Sequence, residues 1–120
     1  FQLGLYFENS YYEKVAERML QSIFPTINYP SAYSNWLDLA LNYSEQNKEL
    51  AICGETALDY CNRINGLYLP NVVLAGTEKV SNLPFLKDRF FADQTLFYVC
   101  QNKTCQIPSN DFQKTVSNLI

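Results

Sequence analysis

The sequence predicts an α/β protein: an N-terminal helical hairpin followed by a small three-stranded, mostly parallel sheet with flanking helices. Three observations carry this. Before residue 48 the apolar residues recur at helical spacing and are interrupted by Pro25 and Pro30. After it come three short apolar runs, 50–53, 72–76 and 95–100, bounded by Gly, Pro and Asn. A helical-period segment separates the first two runs, and strand–helix–strand within about thirty residues is a βαβ unit, with parallel strands and a right-handed crossover. The expected division is therefore residues 1–48 as the helical hairpin and 49–120 as a C-terminal α/β unit.

A chain of 120 residues accommodates one domain or one domain with an appendage. Folding at this size buries roughly two thirds of the exposed surface, so disulfides are not required for stability. Rings make up 15% of the residues, which places aromatic side chains in the core and at interfaces.

The elements follow in order. FQLGLYFE reads as the tail of a helix entered midway, the start of a piece cut from a longer protein. Ser10-Tyr11-Tyr12-Glu13 fits a capping box, and Tyr12, Val15, Ala16, Met19, Leu20 and Ile23 form one apolar face behind it. Pro30-Ser31 opens a second helix with Tyr33, Trp36, Leu37, Ala40 and Leu41 on its buried side, making an αα-hairpin. Leu50 to Cys53 reads as a buried strand ended by Gly54. A helix follows from Glu55 to Asn65 with Gly66 as its C-cap, then a strand over Val72–Gly76. Ser81-Asn82-Leu83-Pro84 predicts a cap for a short helix through Arg89, with Phe85, Leu86, Phe90 and Phe91 packed inward. The third strand spans Thr95 to Cys100. Ser109-Asn110-Asp111 caps a last helix with Phe112, Val116 and Leu119 or Ile120 on its apolar face.

Charge and composition exclude several functions. The net charge is −3, and the nine Lys and Arg residues are dispersed, so no stripe exists to displace counterions from a phosphate backbone; no nucleic-acid partner is expected. The apolar runs are too short to span a bilayer, so no membrane partner is expected either. Histidine is absent, which removes the usual neutral-pH general base, the usual partner of Ser or Cys nucleophiles and the commonest metal ligand. Asp88, Asp93 and Asp111 have no spacing diagnostic of an acid/base pair, and Gly54-Glu55-Thr56 is too sparse a motif for a phosphate loop. No catalytic residue, cofactor site or metal site is assigned. The Asn42 and Asn102 sequons are within chance for an Asn-rich chain.

The remaining chemistry lies in TLFYVCQNKTCQIP, residues 95–108, where Cys100 and Cys105 are the redox candidates. Four intervening residues and a position at a strand end differ from the CxxC at a helix N-terminus that lowers a thiol's pKa. The expectation for a cytoplasmic protein is two reduced thiols, with Cys100 packed as a small apolar residue. A reversible disulfide is the alternative that four intervening residues permit. A zinc site would need Cys53 and Cys61, eight residues apart; parallel first and third strands would bring Cys53 and Cys100 to one sheet edge.

Leu69-Pro70-Asn71 before Val72-Val73-Leu74-Ala75-Gly76, a later Leu-Pro-Phe-Leu segment with an Arg, and the tail Tyr98-Val99-Cys100-x4-Cys105-x2-Pro108 resemble the C-terminal end of one family. These are the large thioredoxin-domain-containing proteins related to the spermatogenesis-associated thioredoxin-like proteins. The resemblance implies a parent with an N-terminal thioredoxin-like domain and a helical toroid similar to six-hairpin glycosidases and sugar 2-epimerases. Cys53 before Gly54 departs from the family, which carries an aliphatic residue there. By this resemblance the chain is a non-catalytic structural or interaction module whose partner is the rest of the parent. The isolated piece is expected to self-associate through residues 1–45. Two alternatives remain: disulfide exchange with the parent's thioredoxin-like dithiol, Cys100 attacking and Cys105 resolving, or part of a carbohydrate-active, epimerase-like enzyme whose active site lies elsewhere.

Overall fold

A computed structural model describes residues 1–44 and 47–120. Helix α1 (Gln2–Tyr6) leads into α2 (Ser10–Ile23), and two short 3₁₀ turns precede α3 (Ser34–Ser44). Then come β1 (Lys48–Cys53), α4 (Ala57–Asn65), β2 (Val72–Thr77), β3 (Leu96–Gln101), β4 (Thr104–Cys105) and α5 (Phe112–Leu119). The fold class is α/β, with every helix and strand of the expected order except the short helix near Arg89. Residues 83–89 instead make successive turns, in which Leu86 N–H donates to Leu83 O and Arg89 N–H to Leu86 O.

The sheet corrects the expectation of three mostly parallel strands. It has four strands in the order β2-β1-β3-β4 and is mixed. β1 pairs with β2 in parallel, as the βαβ pattern requires, but antiparallel to β3, with Glu49 opposite Cys100 and Cys53 opposite Leu96. β4 adds a fourth strand through a hairpin.

Both faces of the sheet are covered, which explains why β1 reads as an uninterrupted apolar run and not an alternating one. Leu50, Ile52, Phe97 and Val99 face α4 and α5, joined by Ala57, Ile64 and Leu119. Ala51, Cys53, Val73 and Tyr98 face Phe85 and Leu86 of the β2–β3 connection, together with Phe1, Leu5 and Tyr6 around α1. Tyr6 ties α1 down: its hydroxyl donates to Leu74 O at 2.9 Å and its ring meets Phe85 edge-on.

The helix ends are closed by specific contacts. Asn9, not Ser10, caps α2, accepting from the Tyr11 and Tyr12 amides. Asp111 caps α5 by accepting from Lys114 N–H at 3.0 Å. At the other end of α5, Lys48 Nζ donates to Asn118 O and Leu119 O at 2.9 and 3.2 Å, a cation on a helix C-terminus that locks the start of β1 to the end of the chain.

The α2–α3 hairpin projects from this core, and the molecule measures 51 × 28 × 21 Å. Only Leu20 of α2 and no residue of α3 is fully buried. The seam anticipated from Val15, Ala16, Ile23, Trp36, Leu37 and Ala40 is half-covered, while Tyr12, Met19 and Leu41 lie in the open. No helix among the described residues is long and apolar enough to cross a membrane.

Candidate functional site

The stretch from Thr95 to Pro108 forms the edge of the sheet. Gln101-Asn102-Lys103-Thr104 makes a two-residue hairpin turn in which Asn102 and Lys103 both have positive φ, 51° and 62°. Two left-handed residues in succession are the signature of a type I′ turn, whose twist matches that of the flanking strands. The usual sequence sign of such a turn is Asn-Gly. Here Lys103 occupies the second position, so β4 gave no signal beforehand.

The turn sets Cys100 directly opposite Cys105 in the ladder, with Cα atoms 3.9 Å apart, and the two are joined in a disulfide. This corrects the expectation of two reduced thiols. The physical reason is the hairpin itself: antiparallel pairing across its two-residue loop sets residues five apart face to face. Cys100 is 3% exposed, whereas Cys105 is open to solvent.

Arg89 completes the site. Its Nη2 lies 3.6 Å from Cys105 Sγ and 3.8 Å from Cys100 Sγ. Its guanidinium carbon stands 5.2 Å from the Tyr98 ring centroid, and its backbone carbonyl accepts from the Tyr98 hydroxyl at 2.9 Å. The residue before it, Asp88, has φ 60°, so a left-handed turn aims the arginine back at the sheet edge. The disulfide and Arg89 form one wall of a cavity of about 390 Å³. Leu5 and Phe85 supply apolar surface there, and Glu8, Glu13, Glu49 and Lys103 supply charge. Burial raises the Glu49 carboxyl above its ordinary value, partly offset by the Arg89 charge.

The other two cysteines are free and lie elsewhere. Cys53 is fully buried, and desolvation pushes its thiol up to about 11. The Cys61 thiol is also raised by burial, and it packs where a Cβ on Gly76 would collide with its Sγ. Because β3 runs antiparallel to β1, Cys53 sits at the opposite end of the ladder from Cys100, and the shared-edge zinc arrangement does not form. No cluster of three or more His, Cys, Asp or Glu able to hold a metal occurs among the described residues.

The turn at Gly54-Glu55-Thr56 is also occupied internally. Thr56 N–H donates to the Thr95 hydroxyl at 3.3 Å, and the two threonine hydroxyls are 2.7 Å apart. Gly54 has φ 152°, and a Cβ there would overlap Thr95. The amide that a phosphate would need is thus already bonded within the fold.

No protein-family profile matches the chain. No solved structure matches it. Among curated proteins, the chain is similar to Spermatogenesis-associated protein 20 of Homo sapiens, with 35% identity over 86 residues covering 60% of this chain. The chain spans 11% of that relative's length. The similarity supports a relationship to that family over part of the chain.

Proposed function

We propose that this chain is a structural and interaction module of a much longer protein, docking through its α2–α3 hairpin. One observation carries the proposal: a helical hairpin stands off a well-packed α/β core with apolar side chains uncovered. Tyr12, Met19, Phe24 and Leu41 are each 43–55% exposed. Single exposed apolar residues are ordinary, but a hairpin with almost no fully buried residue of its own has too little burial to offset its ordering entropy unless a neighbour covers it. The occupant proposed is the remainder of the parent chain. Its support is the partial similarity to a protein of which this chain spans 11%. The resemblance to large thioredoxin-domain-containing proteins supplies the form of that occupant, a helical toroid whose end the hairpin closes, beside a thioredoxin-like domain.

Sedimentation velocity of the isolated chain across a wide concentration range tests this. Without its neighbour the uncovered face should self-associate, and the double substitution Met19→Glu, Leu41→Glu should return the chain to a monomer with an unchanged circular dichroism spectrum. A wild-type chain that stays monomeric at the highest concentrations refutes the proposal.

A further inference from the structure

We propose that the Cys100–Cys105 disulfide is a thiol–disulfide exchange site for a dithiol reductant, with Cys105 as the sulfur attacked and Arg89 as the group that stabilises the departing Cys100 thiolate. The inference goes beyond docking and does not depend on it.

Access decides the order of attack. Exchange begins when a thiolate reaches one disulfide sulfur and displaces the other. Both cysteines border the cavity, but Cys105 is exposed, whereas Cys100 is held in β3 at 3% exposure. The incoming sulfur therefore bonds to Cys105 Sγ. The Cys100–Cys105 bond breaks, and its electron pair leaves on Cys100 Sγ. The reductant's second thiolate then attacks its own sulfur in the mixed disulfide, releasing the Cys105 thiolate and closing the reductant's disulfide. Two electrons pass from the dithiol to the pair, and the two thiolates take up protons from solvent. In the reverse direction Cys105 is the outward nucleophile and Cys100 resolves, the opposite of the roles in the disulfide-exchange alternative set out from the family resemblance.

Electrostatics favour the same pair. A neutral disulfide sulfur is a weak acceptor, but a thiolate is an anion, and the Arg89 Nη2 is already 3.6–3.8 Å from both sulfurs. Its cation–π contact with Tyr98 and the Tyr98 hydroxyl bond to its carbonyl hold it there through groups that include neither sulfur. A leaving thiol of lower pKa leaves faster, so this placement accelerates the first step. Burial raises the Cys53 and Cys61 thiols, and neither lines the cavity beside the disulfide.

The test uses the full chain with dithiothreitol and glutathione disulfide as probes. After mild oxidation, dithiothreitol should release two alkylatable thiols, mapped by peptide mass spectrometry to Cys100 and Cys105. In the reduced wild-type chain, Cys105 should alkylate faster than Cys100. Glutathione disulfide should add one glutathione to Cys105 in the Cys100→Ser variant far faster than to Cys100 in the Cys105→Ser variant. Arg89→Gln should slow reduction by roughly three- to tenfold and move the pH midpoint of Cys100 alkylation upward, and Arg89→Lys should restore that midpoint. Four free thiols after oxidation, faster modification of Cys100 than Cys105, or an Arg89→Gln midpoint equal to wild type would each overturn the proposal. The two wild-type measurements decide the matter even where a variant fails to fold.

Discussion

Reducing the Cys100–Cys105 disulfide should weaken the protein only modestly and leave it folded. Cross-linking acts mainly by removing loop-closure entropy from the unfolded chain, and the two cysteines are five apart in sequence. For so short a loop the chain-entropy relation gives a contribution of about 2 kcal/mol at 25 °C. An unfolding entropy of about 2.1 cal/mol/K per residue over 120 residues converts this to a Tm decrease of about 8 °C. The folded state keeps its other ties at this edge. Gln106 N–H donates to Val99 O at 2.9 Å, and Phe97 and Ser109 exchange two backbone hydrogen bonds at 2.8 and 3.1 Å. Each holds the segment after β4 without help from the sulfurs. Thermal unfolding followed by circular dichroism, with and without dithiothreitol and repeated on Cys100→Ser/Cys105→Ser, measures the effect. Loss of a cooperative transition on reduction, or a Tm fall beyond about 16 °C, twice the entropic value, would show that the disulfide organises the fold and does not merely decorate its edge.

Phe97 should matter more than the disulfide. It is 1% exposed and packs edge-on to Tyr60 at 5.0 Å and against Phe112 at 5.9 Å, so it joins β3 to α4 and α5. Phe97→Ala should cost about 3–5 kcal/mol in urea denaturation; a loss under about 1.5 kcal/mol would mean that the three elements do not share one core. Glu49 should make stability fall with rising pH. Its folded pKa lies above the unfolded value of 4.5, so the native state holds the proton more tightly. That contribution is fully present below 4.5 and is lost as pH rises through the raised value. Glu49→Gln should therefore flatten the profile above pH 4.5 and be more stable than wild type near neutrality. Denaturation midpoints across this range that run parallel for the two proteins would contradict the assignment.

Much of the fold was legible because it is local. Pro25 and Pro30 interrupt a helical period, Gly54 precedes α4 with a φ of 152°, and β-branched residues mark β2, each through steric effects within a few residues of chain. The misses have equally specific causes. The α2 cap moved from Ser10 to Asn9 because both residue types accept from the first-turn amides and only the backbone path selects between them. The turns near Arg89 resembled a capped helix until Asp88 adopted a left-handed conformation.

The sequence by itself determined the main helices and the three longer strands, but not β4 or the turns over 83–89, and it singled out Cys100 and Cys105 at one strand end as candidates for chemistry. It excluded histidine-based catalysis outright. Only the tertiary structure decided the direction of β3. A strand buried on both faces carries the same apolar pattern whether it runs parallel or antiparallel to its neighbour, so nothing in Leu96 to Gln101 specifies its partner's orientation. That direction separates Cys53 from Cys100. The left-handed turn at Asn102-Lys103, adopted without the glycine that would have announced it, brings Cys105 across to Cys100 and beneath Arg89.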